Sequence, residues 1–204
     1  MSQDRSIRIA GLCGSLRPGS FTKMALAIAL QGAAPTSEID LIDLRDFDLP
    51  MATGEGDPED PSHDVYRLRE RIKLADGVIV GTPEYHGSFS GVLKNALDLT
   101  GFKEWEGKMV ALVGVSGGRL GGNDAINSLR HIGRTLHAWV IPEQVSIPEA
   151  HRAFGTDGRL KDTKLEQRLV ETGRQIARFA YLHKCAANND FLVNWEKAQP
   201  NPGA

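Results

Sequence analysis

The chain has 204 residues, 41% of them hydrophobic, with 24 basic and 26 acidic side chains and a formal net charge of −2. This composition predicts one domain with a sizeable core, and the charge balance excludes the broad basic field of a nucleic-acid-binding protein. No apolar run approaches the roughly 18 residues of a membrane-spanning helix. The first six residues lead into a strand without a signal-peptide pattern, so we expect a cytoplasmic protein without a membrane partner.

Strand-like and helix-like patterns then alternate along the chain. The predicted strands are residues 7–13, 38–44, 77–82, 108–115 and 138–145. The predicted helices are residues 21–31 (closed by Gly32), 62–75, 90–99, 124–136 and 165–183. Five such units predict a doubly wound α/β domain, a parallel sheet with helices on both faces.

Two segments depart from this alternation. Residues 46–61 form an acidic connection rich in Gly and Pro, too long for an ordinary link, which predicts a functional or flexible loop. Residues 186–204 form a C-terminal tail, and we assign the domain itself to residues 1–185. The tail contains Phe191, Val193 and Trp195, so we expect it to dock partly on the domain or on a partner.

The segment after the first predicted strand, residues 14–23 (GSLRPGSFTK), predicts a phosphate site. A helix start at this position offers unpaired N–H groups and the positive end of the helix dipole. Ser15, Ser20 and Thr22 add hydroxyl donors. Arg17 adds a guanidinium that binds a phosphate through two N–H groups.

Spacing excludes two common phosphate-binding fingerprints. The glycines at 14 and 19 have the separation of a P-loop, but Ser20 and Phe21 stand where Lys and Ser/Thr are required. Gly11 and Gly14 are separated by two residues rather than one, so the dinucleotide fingerprint fails as well. A terminal phosphomonoester, as in a mononucleotide such as FMN, is the favoured ligand, and a merely structural turn is the alternative.

Two more loops rich in Gly and Ser follow central strands, at residues 82–91 (TPEYHGSFSG) and 116–122 (SGGRLGG). Ligands of open α/β sheets bind beyond the carboxyl ends of the strands, so we expect the three loops to converge. Tyr85 is suited to form the wall of a flavin ring. The amides of residues 84–87 and 116–118 are suited to stabilise the negative charge of the reduced ring, as an oxyanion hole does.

Three side chains of these loops have alternative interpretations. Glu84 is interpreted as a turn or helix-capping carboxylate rather than a general base. His86 is a ring contact or a bystander, and Arg119 contacts the phosphates of a second nucleotide or is solvated. The apolar residues Phe89, Val92 and Leu93 come directly after the residues suited to line the flavin ring, 84–87. Their position predicts that a partner packs there.

Residues 14–20, 83–88, 93–98 and 116–118 together resemble the NADPH-dependent FMN reductases, a family that includes chromate, azo and quinone reductases. The resemblance extends from about Ser6 to Phe179. It implies a flavodoxin-like five-stranded sheet of order 2-1-3-4-5 and an FMN that is bound tightly but noncovalently. It also implies a homodimer or homotetramer with the helix of Lys94 and Asp98 near the interface. The alternative for that pair is an exposed i,i+4 ion pair.

Carried over by motif, the resemblance implies a set of cofactor-binding residues. Those implied for the phosphate are Ser15, Arg17, Ser20, Phe21 and Thr22. Those implied for one side of the ring are Pro83, Glu84, Tyr85, His86 and Gly87. Those implied for its other end are Ser116, Gly117 and Gly118.

The loops and the resemblance together predict an oxidoreductase. It transfers hydride from NAD(P)H through FMN to quinones, free flavin, azo compounds or oxidised metal ions by a ping-pong mechanism. We assign no catalytic side chain and no metal site. The alternatives are a flavodoxin-like electron carrier and a flavin redox sensor, and a net charge of −2 speaks mildly against a strongly acidic carrier. NADPH and NADH are not distinguished, and the candidates for binding a 2′-phosphate are Arg17, Arg67, Arg69, Arg71 and Arg119.

The two cysteines show neither metal-ligand spacing nor a disulfide pattern. Cys13 ends the first predicted strand. A small buried hydrophobic residue is expected there rather than a nucleophile.

Overall fold

The computed structural model describes residues 6–60 and 62–184, so the predicted tail lies outside the described residues. The strands are β1 (Ile7–Cys13), β2 (Ser37–Asp43), β3 (Gly77–Tyr85), β4 (Ser88–Phe89), β5 (Met109–Val115) and β6 (Trp139–Ile147). The helices are α1 (Phe21–Ala33), α2 (Asp64–Leu74), α3 (Gly91–Asp98), α4 (Phe102–Trp105), α5 (Asn123–Thr135), α6 (Ala150–Ala153) and α7 (Thr163–Lys184). Within the described ranges, each helix is too short or too polar to be a candidate membrane span.

Five parallel strands form the sheet in the order β2-β1-β3-β5-β6, and the short β4 pairs with β3 in the antiparallel direction. Counted without β4, this is the predicted order 2-1-3-4-5, so the flavodoxin-like fold is confirmed. The chain moves from β1 to one side for β2 and to the other side for β3. The crevice beyond the carboxyl ends of β1 and β3 is therefore the expected ligand position.

Apolar side chains cover both faces of the sheet, as predicted. One buried cluster includes Leu26 of α1 and Ile176 of α7. The other includes Leu68 of α2, Leu93 of α3 and Ile126 of α5. Because β5 is buried along its whole length between these layers, it reads as a continuous apolar run rather than as an alternating pattern.

Gly32 lies inside α1, so the prediction that it closes this helix is wrong. A Cβ at Gly32 would stand 1.9 Å from the carbonyl oxygen of Val170 in α7. A Cβ at Gly173 of α7 would likewise stand 1.8 Å from the carbonyl oxygen of Ala29. The two glycines let the helix backbones touch, and this close approach explains the glycine better than helix termination does.

β3 extends to Tyr85, beyond the predicted end at residue 82, because β4 turns back and pairs with it. His86 and Gly87 make the turn with φ values of 52° and 74°, as a two-residue hairpin requires. Part of the predicted ligand loop is thus a strand, which restrains the backbone of Glu84 and Tyr85.

The connection predicted at residues 46–61 is held against α2 and α3 where it is described. The amide of Ala52 donates to Asn95 Oδ1 at 2.9 Å, and Asn95 Nδ2 donates to the carbonyl of Pro50 at 2.8 Å. Arg69 Nη2 of α2 donates to Asp57 Oδ1 at 2.7 Å. These contacts fix the connection on the helices of one face.

Candidate functional site

A cleft of about 120 Å³ opens at the carboxyl ends of β1, β3 and β5. Ten of the thirteen predicted cofactor-binding residues line it, namely Ser15, Arg17, Ser20, Phe21, Thr22, Pro83, Glu84, Tyr85, Ser116 and Gly117. The other three, His86, Gly87 and Gly118, are exposed beside it. The fold thus brings the three loops together, as expected from their positions after strands.

One end of the cleft carries hydrogen-bond donors for an anion. Ser15, Ser20 and Thr22 are each at most 5% exposed. Ser20 caps α1, because its Oγ accepts from the amide of Lys23 at 3.2 Å. The amides of Phe21 and Thr22 have no acceptor among the described residues. Hydroxyl groups and free first-turn amides make a donor set that suits a phosphate, and Glu84, the carboxylate among the lining residues, accepts from the amide of Ala125.

Arg17 lies at the same end, and its side chain forms no ion pair with a described residue. Its guanidinium carbon is 5.9 Å from the ring centroid of Phe21. That ring stacks in turn on Phe154, with a centroid distance of 5.3 Å. The aromatic pair supports the cation and leaves its N–H groups for a ligand.

A buried carboxylate stands behind the anion end. Asp43, 1% exposed at the end of β2, pairs with Lys23 Nζ at 2.8 Å and Arg45 Nη2 at 2.6 Å. Burial alone raises the pKa of Asp43, but hydrogen bonds from Arg45 and Lys23 outweigh it and hold that pKa well below its usual range. The ionised Asp43 therefore fixes Lys23 in the first turn of α1.

A buried polar network joins the first loop to the second. Ser90 Oγ donates to the carbonyl of Gly14 at 2.5 Å and accepts from the amide of Leu93 at 3.2 Å. Thr82 Oγ1 accepts from the amide of Ser90 at 3.1 Å. A Cβ at Gly14 would lie 2.8 Å from Leu93 Cβ, so glycine lets α3 pack against the first loop. The expectation that Leu93 faces a partner is wrong, because Leu93 is fully buried here.

The open end of the cleft is formed by the hairpin of β3 and β4. The Tyr85 side chain is 54% exposed there. Glu84 Oε2 accepts from the amide of Ala125 in the first turn of α5 at 3.0 Å. The interpretation of Glu84 as a helix-capping carboxylate is thereby confirmed. The amides of His86 and Gly87 have no acceptor among the described residues.

The third loop offers one amide rather than three. The amide of Ser116 donates to the carbonyl of Ile147 at 2.9 Å, and that of Gly118 donates to Ser116 Oγ at 3.0 Å. The amide of Gly117 has no acceptor among the described residues. Gly117 is therefore the donor that this loop presents to the cleft.

A fourth wall of the cleft, which consists of Val115, Ala150 and His151, was not predicted from the sequence. Ala150 and His151 belong to the short α6, which follows β6. The amide of Ala150 donates to the carbonyl of Ser116 at 2.9 Å, which joins this segment to the third loop. The segment could have been predicted from its position, because it follows the last strand and ligands of open α/β sheets lie beyond the carboxyl ends of the strands.

Three of the arginines predicted for a 2′-phosphate are engaged elsewhere. Arg67 pairs with Asp64, Arg69 with Asp57, and Arg71 with Asp40. All three arginines lie on α2, and each forms its ion pair with a nearby carboxylate rather than facing the cleft lining.

Cys13 has no exposed surface, and burial raises its thiol pKa. The prediction of a buried hydrophobic role is confirmed. No group of metal-ligating side chains occurs within residues 6–60 and 62–184.

Known proteins resemble this chain in sequence over most of its length. The model of a family described as NADPH-dependent FMN reductase matches residues 7–152. An NAD(P)H-dependent FMN reductase of Pseudomonas aeruginosa is 37% identical over 172 residues, which cover 82% of this chain and 90% of the relative. An NADPH azoreductase of a Bacillus species is 41% identical over 121 residues, or 59% of this chain and 67% of the relative.

Among solved structures, a similar one is FerB, a flavoenzyme NAD(P)H:(acceptor) oxidoreductase of Paracoccus denitrificans. It superposes with a TM-score of 0.66 at 27% identity and covers 87% of this chain and 98% of its own. Sequence and structure thus point to the same group of enzymes.

Proposed function

The chain belongs to the NADPH-dependent FMN reductase family, and on that premise we propose that it oxidises NAD(P)H with FMN bound in the cleft described above. The electrons pass to a small-molecule acceptor, namely a quinone, free flavin, an azo compound or an oxidised metal ion. The family membership confirms the resemblance drawn from the loop motifs and the prediction of an oxidoreductase. One observation carries the proposal for this cleft: ten of the residues predicted to bind FMN, from three separate loops, line it.

The residues at the anion end fit the terminal phosphate of FMN. Hydroxyl groups of Ser15, Ser20 and Thr22, the free amides of the first turn of α1, and the Arg17 guanidinium supply donors of the right kind. A phosphate dianion at this helix start is also stabilised by the helix dipole. These groups would orient the mononucleotide and leave its ring at the open end.

The residues at the open end fit a flat ring. The half-exposed Tyr85 would supply a wall, and the amides of His86, Gly87 and Gly117 would supply donors from two sides. Fixed amide dipoles stabilise negative charge without reorganisation. Glu84 is committed to capping α5, so we assign it no proton transfer.

FMN held by these residues would supply the redox chemistry, namely hydride transfer from NAD(P)H and electron transfer to the acceptor. The chain's own part is to bind, orient and stabilise charge. Because the cleft has one open end, NAD(P)H and the acceptor would have to reach the ring from the same side. One would leave before the other binds, which supports a ping-pong order. Because NAD(P)H is a cytoplasmic reductant, we propose that the enzyme works in the cytoplasm.

We further propose that the enzyme is a homodimer or homotetramer. A volume of about 120 Å³ lies below the roughly 300 Å³ at which sites for whole small molecules begin. The chain alone therefore encloses only part of the ligand, and a second subunit over the exposed Tyr85 side would complete the site. Closed symmetry is the usual form of such assemblies.

Steady-state kinetics test this function against the two alternatives. An oxidoreductase of this kind consumes NAD(P)H in the presence of a quinone, with parallel double-reciprocal plots when both substrates are varied. An electron carrier or a redox sensor binds FMN without catalysing that oxidation, and such a result would overturn the proposal.

A further inference from the structure

Arg119 is an exposed cation at the tip of the third loop, and its side chain forms no hydrogen bond or ion pair with a described residue. The backbone on both sides of it is anchored. The carbonyl of Gly118 accepts from the amide of Glu149 at 3.0 Å. The carbonyl of Leu120 accepts from Asn123 Nδ2 at 2.9 Å. The guanidinium therefore projects from a fixed base, two residues beyond Gly117 of the cleft wall.

The other cations near the ligand edge already have roles. Lys23 and Arg45 hold the buried Asp43. The three arginines of α2 pair with acids of their own face. Arg17 lines the anion end of the cleft, where we assign it to the FMN phosphate. Arg152 of α6, next to the cleft residue His151, pairs with Glu149 at 2.9 Å. Among the described arginines and lysines of this edge, Arg119 remains for a second anion.

The composition of the loop also indicates which anion it binds. In Rossmann dinucleotide sites, a carboxylate on the 2′-hydroxyl of the adenosine ribose selects NADH, and an arginine nearby accommodates the 2′-phosphate of NADPH. The same charge argument applies to a site of another fold, because an acid repels the phosphate and a cation attracts it. Residues 116–122 (SGGRLGG) contain an arginine and no acid. A guanidinium matches a phosphate in geometry and charge.

We propose that Arg119 binds the 2′-phosphate of NADPH and is the residue by which this enzyme prefers NADPH to NADH. The assignment rests on the proposed use of NAD(P)H at this site. The backbone anchors at Gly118 and Leu120 hold the base of the side chain in place. Less conformational freedom is therefore lost when the phosphate binds.

Binding of two nucleotide fragments to the FMN-loaded protein tests the proposal without turnover. Adenosine 2′,5′-bisphosphate carries the 2′-phosphate, 5′-AMP lacks it, and bound FMN keeps both out of the anion end. We expect the wild-type protein to bind the bisphosphate more tightly. Arg119→Ala should lower the affinity for the bisphosphate by roughly 10- to 100-fold, the range of a charge-assisted contact. Its affinity for 5′-AMP should not change. Arg119→Lys should lose part of this affinity.

Arg134→Ala is the matched control. Arg134 is an exposed arginine in the last turn of α5 with no ion pair to a described residue, about 16 Å along the helix from Asn123. It should bind both fragments as the wild type does. Equal wild-type affinity for the two fragments, or an Arg119→Ala variant that weakens both or neither, would overturn the assignment. A failure of the proposed function itself appears separately, as wild-type protein that oxidises neither NADPH nor NADH.

Discussion

The Glu84 carboxylate accepts a hydrogen bond from the backbone amide of Ala125 at 3.0 Å. Glu84 lies in the β3–β4 hairpin at the ring end of the cleft, and Ala125 lies in the first turn of α5, directly after the third loop. α5 has no capping side chain of its own, because its N-cap is Gly122. One acid thus fixes two ligand loops against each other.

Glu84→Ala should destabilise the fold by about 1 kcal/mol, the usual cost of a lost helix cap, and should lower FMN affinity. Glu84→Gln keeps an oxygen acceptor and should lose less than half of that stability. Urea unfolding and FMN titration measure both effects. NADPH oxidation at saturating FMN is the control. If Glu84 caps α5, both variants should remain active there. If Glu84 were a general base, the Gln and Ala variants would be equally inactive.

Arg17→Ala should weaken FMN binding by roughly 10- to 100-fold, because it removes a charge-assisted contact to the phosphate of about 1.5–3 kcal/mol. Riboflavin, which lacks the phosphate, should bind the variant and the wild type alike. Fluorescence titration with both flavins gives the comparison. Equal losses for FMN and riboflavin would move Arg17 away from the phosphate.

The parts of the site that the sequence predicted are local. The hydroxyl groups, glycines and Arg17 of the first loop lie within ten residues, and their position between a strand and a helix follows from periodicity. Asp43 could not be assigned in this way, because its partnership with Lys23 depends on β2 pairing beside β1. The prediction that Gly32 ends α1 is wrong for a similar reason, since the residue that requires the glycine, Val170, is far away in the sequence.

Asp43→Asn should destabilise the protein by about 1–3 kcal/mol. A fully buried ion pair that loses one partner costs about 3–5 kcal/mol, and Lys23 and Arg45 are partly exposed. Because the folded-state pKa of Asp43 is lowered, its contribution is complete above the ordinary carboxyl pKa of about 4 and is lost as the pH falls below it. The difference in unfolding free energy between variant and wild type should therefore shrink in acid.

Glu38→Gln is the control for this pH series. Glu38 lies on the same strand and pairs with Arg8 at 2.9 Å, but its side chain is 55% exposed, so the substitution should change stability little. A pH-independent deficit in the Asp43 variant would contradict an ionised Asp43 held by Lys23 and Arg45.

The double exchange Lys94→Asp/Asp98→Lys tests assembly. The two side chains form an exposed i,i+4 ion pair at 2.6 Å. The exchange preserves this pair within α3 but reverses the charge that each position presents to another subunit. We expect unchanged helicity, a weaker oligomer and reduced turnover, measured by circular dichroism, light scattering and NADPH oxidation. The control exchange Glu171→Arg/Arg174→Glu on α7 should leave assembly intact. A wild-type monomer that is fully active at assay concentration would show that each chain completes its site alone.

The most direct test of the central claim, an FMN cleft that NAD(P)H reduces, is anaerobic addition of NADPH to the purified full-length protein while the flavin absorbance is recorded. The protein should be yellow and should release FMN rather than FAD on denaturation. Its visible bands should bleach with NADPH and return when a quinone is added. A colourless protein that FMN cannot reconstitute, a released flavin that is FAD, or bands that neither NADPH nor NADH bleaches would contradict the account.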